Sequence, residues 1–71
     1  MNKTEVIAQH HATVLFVEKG AALTVDDVLW EARIASASSG SNGGKEDILF
    51  LCNLILHELR QIAERSVHPT N

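Results

Sequence analysis

His57-Glu58-Leu59-Arg60-Gln61 carries the first half of a helical zinc-hydrolase motif. In that motif two histidines four residues apart hold the metal, and the glutamate beside the first is the base. Gln61 stands where the second histidine is needed, so the set of ligands is incomplete. His10 and His11 are adjacent. On a helix such neighbours diverge by about 100°, so they do not share a metal without help from elsewhere in the chain. Gly40-Ser41-Asn42-Gly43-Gly44-Lys45-Glu46 has the glycines and lysine of a phosphate loop. It has three residues between Gly40 and Gly44, and Glu46 follows the lysine. The motif needs four residues there and a serine or threonine after the lysine. Asp26 and Asp27 form a carboxylate pair, but adjacent aspartates at a helix start serve the helix dipole. Cys52 lies in an apolar run and reads as a small buried hydrophobe, not a nucleophile. No catalytic set is complete, so the expectation is a protein that is not an enzyme and uses no metal or cofactor.

Two residues have chemistry suited to recognition. Asn53 interrupts Ile48-Leu49-Phe50-Leu51-Cys52-Asn53-Leu54-Ile55-Leu56, where eight of nine residues are apolar. A buried asparagine in a helical seam pairs with its symmetric copy and sets register. If it faces water, it has no such role. Trp30 stands off the main apolar stripe of its segment, as core against the first segment or as an interface anchor. The expected interface residues are Trp30, Ile48, Leu51, Cys52, Asn53, Ile55 and Leu59.

These residues need elements to position them. Asn2 or Thr4 can cap a first helix, with Gly20 closing it. Val6, Ile7, His10, Val14 and Val17 recur at spacings of three and four and predict its buried face. Thr13 to Val17 is β-branched and aromatic, so a short strand at 13–17 reads equally well. A second helix opens at Thr24, with Asp27 in the capping-box position. Val25, Val28, Leu29, Ala32 and Ala35 form one stripe along it, and Trp30, Ile34 and Ala37 another. Residues 38–44 are a flexible connector, long enough for the next helix to fold back or to reach a second chain. A long last helix runs from about Lys45 to Val67, where His68-Pro69 ends it. Leu59, Ile62 and Ala63 continue its stripe, and Arg60 can pair with Glu64.

Seventy-one residues make one domain, 1–71, of marginal stability on its own. With one cysteine, no internal disulfide adds to it, which leaves oligomerisation. The net charge of −3 argues against a nucleic-acid partner. The N-terminus has no signal-peptide pattern, and the apolar run is too short for a bilayer, so the expected location is the cytoplasm.

Val17-x-x-Gly20, then Leu23-Thr24-Val25-Asp26-Asp27-Val28-Leu29, then Ala32, resembles a family of short uncharacterised bacterial proteins common in pseudomonads. Those carry a Val-x-x-Gly turn, a Ser/Thr-capped Asp-x-Leu-x-x-Ala helix and a second long helix. The resemblance covers Phe16 to Ala35 and the order of elements after it. It implies an extended Leu15 to Val17 and assigns no activity.

The expectation is therefore an all-α, three-helix protein with a long C-terminal helix, forming a helical homodimer. Its expected role is non-enzymatic interaction or regulation, with itself as partner and with a further protein partner left open. A helical DNA-binding regulator is the first alternative, if Lys3, Lys19, Arg33, Lys45, Arg60 and Arg65 gather on one face. A binder of small apolar ligands, with a pocket at Trp30, Phe16 and Phe50, is the second.

Overall fold

The computed structural model describes residues 2–38, 40 and 44–67. Three helices run through the described residues: α1 (Lys3–Lys19), α2 (Val25–Ser38) and α3 (Lys45–Val67). A single 3₁₀ turn, Gly20–Ala22, joins the first two. Of the 38–44 connector, Ser39 and residues 41–43 lie outside the described residues, as does His68. Among the described residues, no helix is long and apolar enough to cross a membrane.

Each of the first two helices starts on a reciprocal cap. Asn2 Oδ1 accepts from the Glu5 N–H at 2.8 Å, and Glu5 Oε1 accepts from the Asn2 N–H at 3.1 Å. Gly20, at φ 53°, ends α1 with its N–H donating to the Phe16 carbonyl. That positive φ suits glycine, which lacks the Cβ that would clash there.

Thr24 repeats the device for α2. Its Oγ1 accepts from the Asp27 N–H at 3.2 Å, while Asp27 Oδ2 accepts from the Thr24 N–H and hydroxyl, both at 3.0 Å. The bond from the Thr24 backbone, then that from its hydroxyl, holds the Asp27 carboxyl below its ordinary value. Lys19, 3.9 Å away, adds a weaker pull in the same direction. Thr24→Ala is expected to cost about 1 kcal/mol as a lost cap. A carboxyl with a depressed folded pKa contributes fully above its unfolded value, and the contribution is lost as pH falls through the folded value. The difference between the wild type and Asp27→Asn should therefore be present near neutral pH and diminish in acid, below the usual carboxylate range. Urea denaturation at the two pH values reads it, and a difference that survives acidification would show that the carboxylate charge is not involved.

The core is built from Ala8, Ala12 and Leu15 of α1, Val28, Ala32 and Ala35 of α2, and Leu51, Ile55 and Leu59 of α3. The third helix packs against both others. Alanines at the crossings bring the backbones close, so three short helices still exclude water between them.

The structure corrects several expectations for α1 and α2. Thr13 to Val17 continues the first helix, so the alternative of a short strand at 13–17 is not taken; the extended Leu15 to Val17 implied by the family resemblance is helical too. The buried face of α1 is Ala8, His11, Ala12 and Leu15, not the stripe of Val6, Ile7, His10, Val14 and Val17. Val6 and Val17 are exposed, His10 is exposed, and Ile7 and Val14 are half-buried. In α2, Val28, Ala32 and Ala35 hold the core as expected, but Val25 lies outside it. The reason is common to both helices. Apolar residues occur nearly all round α1, so periodicity does not single out a face, and the helix turns its smallest residues inward to shorten the crossing.

Candidate interaction surface

The long run Ile48 to Leu56 is split by its own helix. Leu51 and Ile55, with Leu59 one turn on, point into the chain's own core. These three, expected at an interface between chains, are thus corrected to intrachain core. Ile48 and Cys52 are half-buried at its margin. The other side of the run faces out, with Leu49 50% exposed, Phe50 58% and Leu56 47%. Asn53 is exposed among them. Leu49, Asn53 and Leu56 are spaced by four and three residues, so they form a single outward seam along α3. From α2, Trp30 (63% exposed) and Ile34 also remain uncovered, together with Ala37. The second stripe read in α2 is real, and it faces away from the core.

Between α2 and α3 runs a groove of about 630 Å³ lined by Leu29, Arg33, Lys45, Ile48 and Leu49. A smaller depression of about 210 Å³, lined by Asp26, Leu29, Trp30 and Arg33, adjoins it through two shared residues. Neither is lined by Phe16 or Phe50. Phe16 is half-buried against the core, while Phe50 points outward.

The polar candidates fall elsewhere. His11 is buried, and its Nδ1 lies 2.5 Å from Glu31 Oε2, tying α1 to α2. His10 is exposed, its ring edge-on to that of His11 at 5.2 Å. On α3, the Gln61 amide donates to His57 Nε2 at 3.2 Å on the exposed face. Among the described residues, no three His, Cys, Asp or Glu side chains gather as a metal-binding group. Burial pushes the Cys52 thiol above its ordinary value, which lowers its thiolate content and its nucleophilicity.

The cations do not converge. Lys19 sits beside Asp27, Lys3 lies near His10 and Ser38, and Arg65 lies beside Gln9 and Glu58. Arg33 and Lys45 meet at the α2–α3 groove. Among the described residues, Arg60 and Glu64 form no ion pair. Residues that sequence reasoning left out of the surface are Arg33, Ile34, Lys45, Leu49, Phe50 and Leu56. The signal available for Leu49 and Leu56 was their spacing from Asn53.

No family model, curated protein or solved structure matches this chain.

Proposed function

We propose that this chain is a small non-enzymatic interaction or regulatory protein that works as a helical homo-oligomer in the bacterial cytoplasm. The observation that carries this reading is the outward seam of Leu49, Asn53 and Leu56 on α3. A second copy is the occupant that suits it. Across a two-fold axis the same patch meets itself, with leucine packed on leucine and the Asn53 amides paired. Exposed apolar patches of this kind mark association surfaces. Cys52, left as a free thiol, suits a reducing compartment.

Sedimentation equilibrium at micromolar concentration tests the proposal. The expected result is a mass twice 7.8 kDa, falling to the monomer when Leu49 and Leu56 are both replaced by Glu with helix content unchanged. A wild-type monomer ends it. Asn53→Leu should raise stability and broaden the distribution of oligomers, since a buried amide at such a seam trades stability for register. Unchanged mass with a single species would remove the register role.

A further inference from the structure

We infer that the groove between α2 and α3 binds a small amphipathic anion, a long-chain carboxylate, with its alkyl chain on Leu29 and Ile48 and its head group toward Arg33 and Lys45. Three observations carry this. The groove, about 630 Å³, has the size of a ligand site. Its floor is apolar and, among the described residues, its charged lining residues are both cations, although the chain as a whole carries −3. Among the described residues, neither Arg33 nor Lys45 forms an ion pair, so neither charge is already satisfied. A guanidinium and an ammonium lining one groove suit a carboxylate, which can accept charge-assisted hydrogen bonds from both. A neutral chain would gain only the floor, and a cationic head would be repelled. Asp26 lines the adjoining depression, not the groove, and so disfavours an anion there but not between the two cations.

The molecule carries its own reporter. Trp30 is the only tryptophan and shares Leu29 and Arg33 between its depression and the groove. The test titrates the full chain with dodecanoate below its micellar concentration and follows tryptophan emission. Dodecanol and dodecyltrimethylammonium serve as the matched neutral and cationic probes. The expected result is a saturable shift of Trp30 emission to shorter wavelength with dodecanoate, and affinity at least tenfold weaker for both other probes. The paired variant Arg33→Gln/Lys45→Gln should lose tenfold or more in dodecanoate affinity and keep its helix content, since both residues are exposed and belong to no core contact. Equal responses to the three probes, or undiminished affinity in the paired variant, would overturn the inference. The comparison of probes uses only the wild type, so it decides the matter even where a variant misfolds. Sedimentation of the same samples separates this from self-association: a monomer that still discriminates between head groups keeps the groove and loses the dimer.

Discussion

Ile55→Ala is expected to cost about 3–4 kcal/mol, the largest loss from any single truncation in this chain. Ile55 is fully buried, and no larger side chain in the core is so completely enclosed. It sits midway along the α3 core row, between Leu51 and Leu59, and removal of its branches leaves a cavity that three helices meet. A domain of 71 residues has a total stability of roughly 4–10 kcal/mol. The substitution thus removes a third or more of it. Leu56→Ala, one residue further on, is the control. Leu56 is half exposed, so its truncation should cost less than about 1 kcal/mol where the chain is monomeric. Urea denaturation followed by circular dichroism, at a concentration low enough to exclude dimer, measures both. Similar costs for the two would mean that the α3 face assigned to the core is wrong.

The second large effect concerns the His11–Glu31 pair. Its side chains are only 11% and 13% exposed, and its bond spans from α1 to α2 across 20 residues of sequence. His11→Ala should cost about 2 kcal/mol, because it deletes a bond to a carboxylate and leaves Glu31 largely buried without that partner. Replacing both residues should cost less than the sum of the single changes, with a coupling of about 1–3 kcal/mol. Thermal or urea unfolding of the four proteins gives that coupling directly. Additive costs would show that the contact contributes nothing to holding α1 on α2. The pair has a structural consequence too: of the two polar contacts between α1 and α2 among the described residues, Lys19–Asp27 is solvent-exposed and His11–Glu31 is largely buried, so the buried pair does more to fix their register.

The elements legible in the sequence are those whose signal is local. Asn2, Gly20 and Thr24 cap or close helices because a side chain or a glycine meets backbone groups within four residues, and no distant partner is needed. The start of α3 at Lys45 was legible from Glu46 and Asp47 in its first turn, and its end at Val67 from the proline two residues on. The buried face of α1 was not. Val6, Val14 and Val17 are more apolar than Ala8 and Ala12, yet the alanines are inside, since closeness of approach decides the crossing. His11 shows the same limit. As one of two adjacent histidines it carries no mark of burial, and its partner Glu31 lies on another helix. The interface residues divide along this line. Leu51, Ile55 and Leu59 are indistinguishable in composition from Leu49 and Leu56, and only the position of α1 and α2 separates the covered row from the open one.

By itself the amino-acid sequence determined the three helices of the described residues, the caps of the first two and a surplus of apolar side chains, because these follow from short-range hydrogen bonding and from composition. Only the tertiary structure decided which apolar row of α3 is buried, that His11 and Glu31 meet, and that Arg33 and Lys45 flank one groove. Those facts depend on how separate helices lie against one another, and the packing of small residues at the crossings settles that arrangement without leaving a periodic trace in the chain.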